Sequence, residues 1–190
     1  NYADGSLHGS RARWDADGHQ VEKSEWDGGQ QQGEWTVWFP GGQLQQQGSF
    51  VDGEPSGRWV RWHENGEKES EGAWVAGKRD GQWTSWHPNG ATAAKGRYGD
   101  DLKQGEWTSW HENGRKASRA NFVDGQPSGM WVSWFDNGQS EKEGDFDTGK
   151  EVGKWSFFYN NGRAWMRGAY VEGKRTGLWK TWYDNGQPES

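Results

Sequence analysis

The stretch that decides the fold is GQWTSWHPNG at residues 81–90, which returns as GEWTSWHENG at residues 105–114. Its core is Gly-x-Trp-x-x-Trp followed by an Asn-Gly pair, and related copies recur at intervals of 24 residues. Self-similarity at a fixed period of this length is typical of repeat architectures. We therefore predict about eight 24-residue repeats that form one continuous domain over residues 1–190.

Aromatic residues mark the same three positions in most repeats. The first repeat is degenerate, with Gly9, Arg11 and Trp14, and the last is incomplete. The first tryptophan series comprises Trp35, Trp59, Trp83, Trp107, Trp131, Trp155 and Trp179. The second tryptophan series comprises Trp38, Trp62, Trp86, Trp110, Trp134 and Trp182, with Phe158 in the remaining repeat. The third series comprises Trp26, Phe50, Trp74, Tyr98, Phe122, Phe146 and Tyr170.

The residue chemistry of each repeat predicts a β-hairpin. Asn-Gly supplies the positive φ values of tight hairpin turns, and the flanking residues are aromatic or β-branched, which suits a pleated surface. No segment has a helical period with caps. A lone hairpin is unstable in water, so the repeats must pair edge to edge. The prediction is an all-β, elongated, single-layer antiparallel sheet of sixteen strands, each of roughly 5–7 residues.

Composition limits the function. Only 29% of the residues are apolar, yet the chain holds 17 Trp and 31 Gly, so aromatic rings must form a thin core. The net charge of −6 lacks the basic stripe of a nucleic-acid binder, and no apolar run is long enough for a membrane span. There is no cysteine for a disulfide or a thiolate metal site. Localisation stays open, with a lean towards an extracytoplasmic or secreted protein.

Neither catalysis nor metal binding is expected. His63, His87 and His111 share one slot in consecutive repeats, where they start about 10 Å apart, which is too far to share a metal ion. Other repeats have Phe or Tyr in this slot, so it is interpreted as a partly exposed planar ring. The acidic stretches, which contain Asp100, Asp101, Asp145, Asp147 and Glu151, are interpreted as solvated hairpin turns. We therefore predict no enzyme, no cofactor, no catalytic residue and no metal ligand.

The face on which each aromatic series lies depends on loop length. Trp35 and Trp38 are three residues apart, so a straight strand directs them to opposite faces. A four-residue loop at Phe39–Gly42 groups Phe50 with Trp35, whereas a three-residue loop groups Phe50 with Trp38. The series that covers the column of Gly48, Gly72, Gly96, Gly144 and Gly168 is expected to be structural.

A binding surface is predicted on the remaining aromatic residues. Trp165 stands out, because its equivalents are Val21, Gln45, Glu69, Ala93, Ala117 and Glu141. It is either a local binding patch or a capping contact near the end of the chain. The predicted binding residues are Trp38, Trp62, Trp86, Trp110, Trp134, Trp182 and Trp165.

The Gly, Trp and Asn-Gly positions give a motif G-x-W-x-x-[WFY]-x-x-N-G that resembles the MORN-type repeat, in particular its bacterial YwqK-like variant. The resemblance covers essentially the whole chain and implies a hairpin-repeat fold with an interaction role. Proteins of the YwqK-like kind are often described as antitoxins, and MORN repeats are associated with lipid binding and scaffold dimerisation. Departures in single repeats are Arg11, Phe158, Ala120 and the turn at residues 98–101.

The sequence therefore predicts a non-catalytic scaffold that binds a protein through one aromatic-rich face. Two alternatives stay open, a lectin-like protein that binds glycans on the same rings and an antitoxin or immunity protein that neutralises a partner. Self-association through open sheet edges is a further expectation, because unpaired edge strands accept strands from other chains.

Overall fold

A computed structural model of the chain describes residues 2–189 and contains only β-structure there. The first two strands are short, and most of the others have eight or nine residues. The strands are β1 (Tyr2–Ala3), β2 (Ser6–Leu7), β3 (Gly9–Trp14), β4 (Gln20–Asp27), β5 (Gln30–Trp38), β6 (Leu44–Val51), β7 (Glu54–Trp62), β8 (Lys68–Val75), β9 (Lys78–Trp86), β10 (Thr92–Gly99), β11 (Leu102–Trp110), β12 (Lys116–Val123), β13 (Gln126–Trp134), β14 (Ser140–Asp147), β15 (Lys150–Phe158), β16 (Ala164–Val171) and β17 (Lys174–Thr181).

Strands β3 to β17 form one open antiparallel sheet in which spatial order follows sequence order, and β1 pairs with β2. The predicted all-β repeat sheet is therefore confirmed. The predicted count of sixteen strands and length of 5–7 residues were wrong. The ladders are longer because pairing continues through the polar stretch after each turn, as in Thr36↔Gln47 and Val37↔Gln46.

The backbone contacts divide the chain into two compact units. The first unit comprises residues 1–91 and 98–101, and the second comprises residues 92–97 and 102–190. Both contain the same hairpin repeat, so each is described by itself below.

Two turn types alternate along the chain, because glycine stands at different points in them. Asp52 and Gly53 both have positive φ, 51° and 81°, as a two-residue type I′ hairpin turn requires. At the Asn-Gly turn only the glycine has positive φ, and the Gly90 N–H donates to the His87 carbonyl at 2.9 Å. This second turn is a three-residue loop, in which a type I turn is followed by a left-handed glycine.

A one-residue bulge follows every three-residue loop and decides the faces of the sheet. Trp38 pairs with Leu44 but Val37 pairs with Gln46, so Gln45 is the extra residue. The loop alone would group Phe50 with Trp38, but the bulge reverses the alternation. Phe50 therefore shares a face with Trp35, and their ring centroids are 6.0 Å apart.

The glycine column makes room for the first tryptophan series. In β6 the residues flanking Gly48 pair with Val60 and Ser56, and Gly57 between them has a φ of 72°. The ring of Trp59 folds onto the bare backbone, so that a Cβ at Gly48 would lie 2.2 Å from Trp59 Cδ2. The same clash exists at the other glycines of this column, which are Gly72, Gly96, Gly144 and Gly168. This observation confirms that the first series is structural.

The first and third aromatic series interlock on this face, which we call the ladder face. In the first unit Phe50 lies edge-on to Trp35 and Trp59, at 6.0 and 5.2 Å between ring centroids. In the second unit Phe146 lies edge-on to Trp131 and Trp155, at 5.7 and 5.1 Å. Aromatic pairs in this geometry contribute about 0.5–1.5 kcal/mol each beyond the area they bury. These ladders are the core that the sparse aliphatic residues do not supply.

Candidate functional site

The second tryptophan series lies on the opposite face, which we call the outer face. It shares this face with the residues of the Thr36 and Val60 column, whose register runs through Val60↔Glu71 and Glu71↔Thr84. The six predicted binding tryptophans of this series are all half-buried. The structure brings Trp38, Trp62 and Trp86 into one row in the first unit. Successive rings in the row are two strands apart, which corresponds to about 10 Å.

An open groove of about 500 Å³ lies on the outer face of the first unit. It forms where small residues, Gly72 and Ala73, leave space between longer side chains. Its lining consists of Arg58, Glu71, Gly72, Ala73, Gln82, Thr84 and Trp86.

Glu71 organises the charges in this groove. It accepts hydrogen bonds from Arg58 Nε at 2.6 Å and from Lys68 Nζ at 2.7 Å. The bond from Arg58, followed by the bond from Lys68, holds the pKa of Glu71 below its usual value. The Lys68 ammonium also lies 5.6 Å from the ring centroid of Trp86. The groove thus offers one indole ring beside matched donors and acceptors.

In the second unit, Arg167 lies between two rings of the second series. Its guanidinium carbon is 5.9 Å from the ring centroids of both Phe158 and Trp182. Trp110 and Trp134 are half-buried in the same series. The outer face of each unit therefore combines half-exposed rings with cationic side chains.

Trp165 does not lie with the other six predicted residues. It is the extra residue of a bulge, because Phe157 pairs with Met166 and Phe158 pairs with Ala164. Its ring contacts Phe157 and Tyr159 on the ladder face, with 6.0 and 6.5 Å between centroids. Its side chain is 41% exposed. The structure thus places two separate aromatic surfaces on opposite faces.

The histidine slot forms hydrogen bonds to the backbone of the following repeat. The Nε2 atoms of His63 and His111 lie 3.0 and 2.8 Å from the carbonyl oxygens of Trp86 and Trp134. In the second unit Tyr159 Oη donates in the same way, at 2.9 Å, to the next repeat. The interpretation as a merely exposed planar ring was therefore incomplete, since these side chains link consecutive repeats.

The acidic stretches form turns and ion pairs. Asp100 and Asp101 both have positive φ, and Asp101 lies 2.7 Å from Arg79 Nε. That hydrogen bond lowers the pKa of Asp101.

Across residues 2–189, one exposed group has metal-ligand spacing, and it consists of Asp15, Asp17 and His19 in the degenerate first repeat. Asp15 Oδ1 accepts the N–H groups of Asp17 and His19 at 3.0 and 2.9 Å, which accounts for the geometry without an ion. These bonds, foremost that from His19, lower the pKa of Asp15.

Sequence reasoning missed Phe157 and the turn asparagines. Phe157 occupies a column that holds Val37, Arg61, Ser85, Ser109, Ser133 and Thr181 in the other repeats. Comparison of that column would have found it beside Trp165. Asn113 accepts the Arg115 N–H at 3.0 Å and donates to the Asp136 carbonyl at 2.7 Å. Its Nδ2 bond crosses to the next turn, which no local pattern indicates.

With this geometry established, comparison with known families is informative. A family model described as "MORN repeat variant" matches residues 31–52, 103–124 and 175–190. These segments match a MORN repeat. All three begin at the same phase of the 24-residue period and contain Gly-x-Trp-x-x-Trp with its following turn. MORN repeats are a binding motif that mediates protein interactions and are not known as enzymes. No curated protein matches the chain.

In the part of the chain that the structure describes, no helix is long and apolar enough to cross a membrane.

Proposed function

We propose that this protein is a non-catalytic scaffold that binds a protein partner through its outer face. The observation that carries the proposal is the contrast between the two tryptophan series. The first series is engaged with the glycine column and the interlocking third series, so its role is structural. The second series is half-exposed beside charged side chains, and protein interfaces are enriched in such tryptophan and arginine residues.

The repeat itself favours binding over catalysis. It presents similar side chains about every 10 Å along the outer face, whereas catalysis requires a convergent set of unlike groups. A row of anchors suits an extended partner that contacts several repeats. The weak contact at each ring then adds to the others, as in other multivalent complexes.

Glycan binding is a second candidate, and the groove beside Trp86 favours it. A ring platform surrounded by the Arg58 guanidinium, the Glu71 carboxylate, the Gln82 amide and the Thr84 hydroxyl suits the hydroxyl groups and apolar face of a neutral sugar. Pockets with a few convergent polar groups around an apolar wall are usual small-ligand sites.

The primary test compares the two faces by photocrosslinking. A photoreactive amino acid replaces Met130, which is 56% exposed on the outer face, and in a second protein it replaces Glu141, which is exposed on the ladder face. The captured partner is then purified and titrated against Trp134→Leu and Trp110→Leu. We expect capture from position 130 and at least a tenfold loss of affinity in each variant, which corresponds to about 1.4 kcal/mol.

Trp165→Leu is the matched control, because it removes an exposed indole from the ladder face. Circular dichroism and the unfolding midpoint establish that each variant is folded. Capture from position 141 alone, or unchanged affinity in folded Trp134→Leu and Trp110→Leu proteins, would show that the outer face is not the binding surface. A glycan array with the wild type and Trp86→Leu tests the second candidate, which fails if the wild type binds no glycan.

A further inference from the structure

The bulge in β16 carries an aromatic cluster that no other repeat has. In the equivalent positions of other repeats the bulge residue makes a polar contact. Ser133 Oγ donates to Glu141 at 2.7 Å, and Arg61 Nε lies 3.7 Å from Glu69. Trp165 faces Phe157 instead, with the rings at 81°. Bulges redirect side chains and recur beside functional sites.

Other rings of the ladder face already bind cations from the same chain. In the first unit the Arg79 guanidinium lies 4.0 Å from the ring centroid of Tyr98. In the second unit Lys103 and Arg175 lie 4.5 Å from the ring centroids of Trp107 and Trp179. Trp165 is 41% exposed, and no cationic side chain from the described residues stacks on it. It is therefore a ring of the same kind with an open face.

Carboxylates flank this ring in its own column. Glu141 and Glu189 occupy the position of Trp165 one repeat before and one repeat after, which places them about 10 Å away on either side. Tyr159, which contacts Trp165, has its pKa raised first by burial and then by the negative charges of Glu189 and Asp184. The surroundings of the cluster thus favour positive charge.

The nearby cations are engaged elsewhere. Arg163 Nη1 donates to the Asp184 carbonyl at 3.1 Å, and Lys142, which pairs with Phe157 across the strands, extends its ammonium to 5.7 Å from the ring centroid of Trp131. Neither covers the exposed side of Trp165.

We propose that the exposed face of Trp165 binds an arginine side chain of a partner polypeptide, with Glu141 and Glu189 complementing its charge. Arginine is the preferred cation because its planar guanidinium stacks on an indole and is weakly hydrated. This site lies on the ladder face, and it is independent of the outer-face row proposed above. A partner that uses both would contact the two faces of the sheet.

The test uses a defined peptide and reads out the site directly. The peptide N-acetyl-Gly-Arg-Gly-amide is titrated into ¹⁵N-labelled full-length protein, and the indole N–H signals are followed by NMR. The matched peptide carries citrulline, which has the same shape without the charge. We expect a saturable shift of the Trp165 signal with the arginine peptide, and an at least threefold weaker response with citrulline. Glu189→Gln should weaken the response by about two- to fivefold, which corresponds to the range expected for a contact between a cation and an exposed ring.

Trp14 is the internal control, since it is 57% exposed but has no comparable ring cluster. The Trp165 signal is assigned from Trp165→Phe, which retains an aromatic ring, and folding is checked from the remaining spectrum. No shift at Trp165, equal shifts at Trp14 and Trp165, or equal responses to the two peptides would overturn the proposal. These outcomes do not depend on the outer face, so a failure here is distinct from a failure of the proposed function.

Discussion

Placing a methyl group under a ladder tryptophan should destabilise the protein. A Cβ at Gly72 would lie 2.2 Å from both Cδ2 and Cε2 of Trp83, and the nearby atoms belong to a rigid ring. In Gly72→Ala the indole must lift away from the backbone. Its Nε1–H then leaves the Ala73 carbonyl, to which it donates at 3.2 Å.

Three contributions determine the size of the effect. Overpacking costs about 1–3 kcal/mol, and loss of the partner of a part-buried N–H costs about 1–3 kcal/mol more. Replacing glycine by alanine returns about 0.4–1 kcal/mol through the unfolded chain. We expect a net loss of about 2–4 kcal/mol in the free energy of unfolding, or roughly 5–15 °C in Tm for a chain of this size.

Ala120→Gly is the matched reverse experiment. In this repeat Ala120 pairs directly with Trp131, and the buried Nε1 of Trp131 has no hydrogen-bond partner. Removing the methyl group lets the ring settle, and this gain is offset by the lower strand propensity of glycine, which costs about 0.5–1 kcal/mol. Both proteins are compared with the wild type by urea unfolding followed by circular dichroism. A Gly72→Ala protein as stable as the wild type, or an Ala120→Gly protein more than about 1 kcal/mol less stable, would refute the role of the glycine column.

Three further predictions follow from individual bonds. His111→Phe should lose about 0.5–1.5 kcal/mol of stability with the bond to the Trp134 carbonyl, whereas His111→Tyr should stay within about 0.5 kcal/mol of the wild type, as thermal unfolding will show. Asn113→Ala removes a bond within its turn and a bond to the next turn, so it should lose about 1–2 kcal/mol, while the Asp variant, which retains the acceptor, should lose less. Because Arg58 lowers the folded-state pKa of Glu71 below 4.5, this carboxylate stabilises the fold above that pH and the contribution is lost as the pH falls through the folded-state pKa. Unfolding midpoints measured between pH 7 and 3 should therefore fall less steeply on the acid side in Glu71→Gln than in the wild type, and parallel curves would contradict this assignment.

The sequence was sufficient for the period and the turns because these depend on local chemistry. Asn-Gly and Asp-Gly pairs require positive φ, and their spacing fixes where each strand begins and ends. The glycine column also predicted that a ring lies on bare backbone, as Trp59 does on Gly48.

The faces could not be derived from the sequence, because the bulge has no residue signature. Its position holds Gln45, Glu69, Ala93 and Trp165 in different repeats, and each is tolerated because the side chain points away from the ladder pairs. A one-residue bulge nevertheless exchanges the two faces for every residue that follows. For the same reason the separation of Trp165 from the second series required coordinates.

The hydrogen bonds between consecutive turns have a consequence for how such a protein changes length. The bonds from His63, Asn113 and Tyr159 each span 23 residues, and every acceptor is a main-chain carbonyl. Because any residue supplies that acceptor, a repeat does not need a particular successor. Within a unit, removing or duplicating a block of 24 residues leaves every such bond with a recipient, whereas a block of 23 or 25 leaves donors without one. The array can therefore grow or shrink in whole repeats without new compensating side chains.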